Sequence, residues 1–148
     1  MPTTFANETP NAYSLVENNN LIASPNYTTI ITKEQIHDNH YKNLAEALSY
    51  ANGVTVNSGS LNTSHMVVRI DGDDRVAIFV DGRRMNMNKG IMSGRASYDL
   101  DLLPSIMNVE RIEILHGAVG STYLNYDTPA GAINIVTKKA INVKQLLI

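Results

Sequence analysis

Cysteine is absent from all 148 residues, which excludes a disulfide framework, a zinc–thiolate centre and a thiol nucleophile. A surplus of positive charge is absent too. Twelve Lys and Arg stand against 14 Asp and Glu for a net charge of −2, so little is available to hold a phosphate backbone, and nucleic acid is not an expected partner. No apolar run approaches the ~20 residues of a membrane-spanning helix, and Met1–Pro10 has neither the charged start nor the apolar stretch of a signal peptide. Catalytic patterns are missing as well: no serine sits in a G-x-S-x-G elbow and no glycine-rich phosphate loop opens a helix. An enzyme built on the His and Asp residues is therefore the weakest reading, because no acid, base and nucleophile converge. No cofactor is expected.

Two patches invite a metal and fail. His37 and His40 are three apart in a helical segment, yet no third ligand stands at a useful spacing. "DGDD" at 71–74 would need an oxygen ligand where Arg75 stands and a glycine where Val76 stands to make a calcium loop. A turn explains it better.

What is there reads as one α+β domain behind a leader. Residues 1–26 are rich in Asn, Thr and Pro with no sustained period, the pattern of a flexible segment. "YTTIIT" (27–32) is β-branched and short enough for a strand. Thr32 with Gln35 is a capping box that predicts a helix near 33–39, and Asn43 with Glu46 opens a second, whose Leu44, Ala47, Leu48 and Ala51 share one face before the Asn52-Gly53 stop. Strands are predicted at 54–56, 66–70, 75–80, 109–115 and 132–137. Because "IDGDDR" (70–75) is too short for a crossover, the strands around it should form an antiparallel hairpin, with the loops 57–65 and 82–100 at the same end.

The second loop is longer than the ~12–15 residues at which a structureless connection usually turns out functional or disordered. It carries Arg83, Arg84, Lys89 and Arg95 beside Asn86, Asn88 and Tyr98, groups that can hydrogen-bond an oxygen-rich or anionic ligand. A merely solvated charged loop is the alternative. Met85, Met87 and Met92 read as gap-fillers.

The ordered series IITKEQI (30–36), NLAEAL (43–48) with GVTV (53–56), RVAIFVDGRRMN (75–86), LLPSIMNVERIEILHG (102–117) and GAINIVTKK (131–139) resembles the plug domain of TonB-dependent outer-membrane transporters. The resemblance implies a plug over residues 27–139, with a mixed four- to five-stranded sheet, short helices and long apical loops. It implies a place in the lumen of an outer-membrane β-barrel facing the periplasm, and TonB pulling on the leader. Scarce nutrients such as ferric siderophores, haem or cobalamin would bind from outside.

Substrate contacts would fall on Asn57, Asn62, His65, Arg83, Arg84, Asn86, Asn88, Arg95 and Tyr98. His65 and Tyr98 could ligate a haem iron, and the two adjacent arginines suit its propionates or the carboxylates of a ferric chelate. Tyr13, Ser14, Leu15, Val16 and Glu17 form the apolar-bearing candidate for the TonB contact. The family's arginine before glycine is His116 here. About 22 strands of a plugged barrel cannot fit after Lys139, so residues 140–148 read as a tail or the start of a link, with the barrel supplied elsewhere. A free-standing periplasmic binding or interaction module of the same fold is the competing reading.

Overall fold

The computed structural model describes residues 28–58, 66–85, 100–117 and 130–139. Among these, strand β1 (Thr28–Ile31) leads into helix α1 (Lys33–Asp38), helix α2 (Leu44–Ser49), strands β2 (Val54–Ser58), β3 (Met66–Ile70), β4 (Val76–Val80) and β5 (Arg83–Arg84). Two 3-10 turns (Leu100–Leu102 and Ile106–Asn108) precede β6 (Val109–His116) and β7 (Gly131–Thr137).

Helix starts follow the local chemistry read from the sequence. The Thr32 hydroxyl accepts from the Gln35 N–H at 3.3 Å while the Gln35 side chain accepts from the Thr32 N–H at 3.0 Å. Both arms of the capping box are therefore present. Asn43 caps α2 by accepting from the Glu46 N–H at 2.8 Å, but the Glu46 carboxylate reaches the Lys42 N–H at 2.7 Å, one residue before the cap. Leu44, Ala47 and Leu48 are buried as one stripe. Gly53, at φ 73°, takes the left-handed turn that ends the segment.

The sheet order is β1-β6-β7-β4-β5, and β2 pairs with β3 in a separate two-stranded ribbon. Within the larger sheet β4 and β7 run parallel, while β1–β6, β6–β7 and β4–β5 are antiparallel. The sheet is thus mixed. "VAIFV" and "GAINIVT" are buried almost continuously, the mark of parallel strands covered on both faces. One face carries the rows Ile31–Ile112–Ile135–Val80 and Thr29–Ile114–Ile133–Ile78, which join Leu44, Leu48, Val54, Val68 and Ile106 in the main apolar cluster. The opposite face is also buried at Leu115, Ala132, Ala77, Phe79 and Val136.

The expected hairpin of 66–70 with 75–80 does not form. The turn chemistry is as read: Asp71 and Gly72 both have positive φ, 51° and 87°, and Ile70 and Asp73 exchange backbone hydrogen bonds of 3.0 Å each way. The ladder stops after that one bridge. One edge of β4 pairs with β7 along its whole length and the other pairs with β5 at Phe79 and Val80, while β3 pairs with β2 instead. The deduction that loops 57–65 and 82–100 share one end loses its premise.

Gly131 heads β7 at φ 124°, and a Cβ there would run into the carbonyl oxygen of Leu115. Gly131→Ala is expected to cost about 1–3 kcal/mol from this strain, and Leu48→Ala, at a fully buried site, about 2–5 kcal/mol. Met107→Ala, 75% exposed, should stay within about 0.5 kcal/mol of wild type. Urea unfolding of the three variants checks this order, and equal costs at all three sites would contradict the packing described.

Candidate functional site

Of the proposed ligand contacts, Asn57, Arg83 and Arg84 lie within the described residues. Asn57 is exposed near the end of β2, opposite Val67, and belongs to the ribbon. Arg83 and Arg84 belong to the larger sheet, so sheet pairing does not bring these groups together. Asn62, His65, Asn86, Asn88, Arg95 and Tyr98 lie outside the described residues, as do Tyr13, Ser14, Leu15, Val16 and Glu17.

The two arginines are not loop residues. They form the edge strand β5, paired with β4 through Val80↔Arg83 and Phe79↔Arg84. Asp81 and Gly82 make the connection with φ of 50° and 78°, the two-residue Asp-Gly turn whose twist matches an antiparallel pair. The Asp-Gly dipeptide after a β-branched run was the available signal for this hairpin. Alternation sends the arginines to opposite faces: Arg83 shares the row of Val80 and Ile135, while Arg84, half-buried, shares the row of Phe79, Asn134 and Glu113.

That second row holds a chain of polar groups in the interior. Glu113 and Asn134, both at 0% exposure, are direct cross-strand partners on β6 and β7. Asn134 donates through Nδ2 to Glu113 Oε2 at 3.0 Å, and Arg111 donates through Nε to Glu113 Oε1 at 3.1 Å. Asn134 Oδ1 in turn accepts the Gly82 N–H at 3.1 Å. A carboxyl group so far from water requires such partners, because an unmet charge or amide in the interior costs several kcal/mol. Beside this chain, Asp81 Oδ1 accepts the Thr137 N–H at 2.8 Å and Asp81 Oδ2 the Thr137 hydroxyl at 2.6 Å. The polar residues set among apolar neighbours in "RIEIL" and "AINIVT" were the sequence signal for this pair, since a buried polar group implies a partner.

A second polar cluster ties the ribbon to the sheet. The His116 ring, at the end of β6, places Nε2 3.1 Å from the Thr29 hydroxyl and Nδ1 3.4 Å from Asp71 Oδ2. The Asp71 N–H donates to the Gly53 carbonyl at 2.7 Å. His116 thus spans β1, β6 and the turn after β3, and a Cβ on Gly53 would collide with the Asp71 carboxylate.

The remaining sequence candidates have ordinary surroundings. His37 and His40 face each other edge-on with ring centroids 6.2 Å apart, and His37 Nδ1 lies 3.2 Å from Asp38. In "DGDD", Asp73 takes Arg75 in a fork, with Nε at 3.0 Å and Nη2 at 2.6 Å, and also the Arg75 N–H at 2.9 Å.

The same arrangement of strands and helices occurs in solved receptor structures. The siderophore receptor PirA from Acinetobacter baumannii superposes with a TM-score of 0.62 at 24% identity, over 84% of this chain and 19% of that one. A variant of the ferric enterobactin receptor PfeA from Pseudomonas aeruginosa superposes at 0.64 with 26% identity, over 83% of this chain and 19% of that one. The fold class is accordingly that of a domain carried by such receptors. Residues 20–132 match the family model described as "TonB-dependent Receptor Plug Domain", and the chain belongs to that family.

Among sequence relatives, the "Iron-regulated outer membrane virulence protein" of Vibrio cholerae is 30% identical over 117 residues, 78% of this chain and 18% of the relative. "Vitamin B12 transporter BtuB" of Vibrio vulnificus is 30% identical over 112 residues, 74% of this chain and 17% of the relative. The chain therefore spans under one fifth of the length of these relatives.

The Asp73–Arg75 fork offers a direct electrostatic check. Hydrogen bonds from the Arg75 side chain, and secondarily from its backbone N–H, hold the Asp73 carboxyl below the usual carboxylate value against a small opposing effect of burial. A carboxyl depressed in the folded state contributes stability above its ordinary value near 3.9 and loses it as pH falls through the folded value. Arg75→Gln should raise the Asp73 midpoint, followed by the side-chain 13C shift, towards that ordinary value. The loss of stability at neutral pH should be under about 1 kcal/mol because the pair is solvent-facing. An unchanged midpoint would contradict the fork.

Proposed function

We propose that this chain acts as the gate and substrate-contact plug of a TonB-dependent outer-membrane transporter for a scarce nutrient. Ferric siderophore, haem and cobalamin are the candidate classes. Membership of the plug family carries the reading, and the names of the relatives support it: a vitamin B12 transporter and a ferric enterobactin receptor. In this reading the domain lies in the lumen of a β-barrel provided outside residues 1–148, on the same gene product or a separate chain. Catalysis plays no part in it, since the domain's work is contact and gating.

The ligand contacts proposed are Asn57, Asn62, His65, Arg83, Arg84, Asn86, Asn88, Arg95 and Tyr98. Arg83 and Arg84 suit the anionic groups of a ferric chelate or haem, because a guanidinium presents a rigid fork of donors that matches a carboxylate in two parallel bonds. Their place on an edge strand supports this, since β5 leads directly into residues 86–98. The TonB contact proposed is Tyr13–Glu17 in the leader, where an extended segment could pair with a partner strand.

Co-expression with outer-membrane barrels from the same genome tests the transporter reading. Association with a barrel and binding of an anionic ferric chelate are expected. Arg83→Ala with Arg84→Ala should weaken that binding about 10- to 100-fold, the loss of one charged hydrogen bond or more. A folded monomer that never associates with any barrel, and whose deletion leaves iron, haem and cobalamin uptake unaltered, would favour a free-standing binding module. For the leader, deletion of residues 11–18 should abolish capture by TonB in a pull-down assay. Retained capture would remove Tyr13–Glu17 from the assignment.

A further inference from the structure

β5 is two residues long, too short to hold its own register. A two-stranded hairpin is marginal in water even at full length, and here the ladder to β4 contains only Phe79↔Arg84 and Val80↔Arg83, extended by the Met85 N–H to the Ile78 carbonyl at 2.8 Å. The turn between the strands is bonded instead to β7, the next strand across the sheet. Four contacts do this: the Asp81 N–H to the Ile135 carbonyl at 2.9 Å, the Thr137 N–H and hydroxyl to the two Asp81 carboxylate oxygens, and the Gly82 N–H to Asn134 Oδ1. Asn134 cannot turn away without breaking its bond to the buried Glu113 carboxyl, which Arg111 also holds.

We propose that Asp81 and Thr137, backed by Asn134 and Glu113, are positioning residues that fix the Arg83–Arg84 pair to β7, coupling the proposed ligand contacts to the strand through which the chain leaves the sheet. The functional part rests on the plug reading above; the clip itself does not. All four contacts join the same two short segments, 81–82 and 134–137. A slip of β7 against β4 by one residue would move Thr137 and Asn134 out of reach together, because alternation sends every side chain to the other face. The arginine pair would then lose its anchor as a unit. Displacement of β7, or of the chain continuing from Lys138 and Lys139, is in this way read out at the two arginines.

Amide hydrogen exchange on the 148-residue chain, without barrel or ligand, tests the clip independently of the transporter reading. Thr137→Val removes the hydroxyl donor to Asp81 at nearly constant volume. Exchange at Gly82 and Met85 should quicken about 10- to 100-fold, as expected for a lost hydrogen bond to a charged group, while the β1–β6 amides keep wild-type rates. Thr137→Ser, which retains the hydroxyl, should restore slow exchange at Gly82 and Met85. Equal acceleration in every strand would mean a general packing defect and overturn the proposal, as would unchanged exchange at Gly82 and Met85. Asn134→Asp brings a second carboxyl against Glu113, and if that variant folds its faster exchange should again be confined to 82–85; acceleration spread evenly over the sheet would overturn the proposal equally.

Discussion

Burial of both faces of the parallel pair β4–β7 is the constraint on which the remaining architecture depends. Val76–Val80 and Gly131–Thr137 lie side by side at the centre of the sheet and are almost wholly withdrawn from water. Strands so placed have no solvent-facing side, and β7 is paired on both edges. Any polar side chain on these strands must find a partner inside. The Glu113–Asn134 contact follows from this requirement, and so does its extension to the Gly82 amide.

The buried polar groups therefore serve register. Apolar rows alone tolerate a slip by two residues, which keeps the same face inward. A buried carboxyl and a buried amide do not tolerate it, since a displaced partner leaves an unmet group in a region without water. In this sheet the specific contacts concentrate at the β4–β5 turn and at the His116 corner. The first sets where the adjacent arginines stand, and the second joins the ribbon that bears Asn57 to the sheet that bears Arg83 and Arg84. Two sheets that share no ladder are thereby linked through one imidazole ring in addition to their shared apolar cluster.

Much of this was legible locally. The Thr32 capping box, the Asn43 N-cap, the α2 stripe of Leu44, Ala47 and Leu48, the apolar strands and the left-handed turns at 53 and 71–72 each depend on residues within a few positions of one another. Short-range sterics and hydrogen bonding settle such features, and the residue types announce them. The five ordered motifs resembling plug domains sufficed for the family, because they summarise a whole fold in a linear order.

Strand partnership was decided only by the tertiary structure. "IDGDDR" and "VDGRR" carry the same turn dipeptide, yet the first supports a single bridge and the second a hairpin. What separates them is long-range bonding: the second turn is held by Ile135 and Thr137, more than fifty residues downstream, whereas β3 pairs with β2. The roles of Glu113, Asn134, Asp81 and Thr137 have the same origin: each is an unremarkable polar residue until pairing over a long sequence separation places its partner opposite. Composition, period and capping thus determined which segments become helix or strand. Long-range bonding between strands, and the cost of an unmet polar group in the interior, determined how those segments assemble.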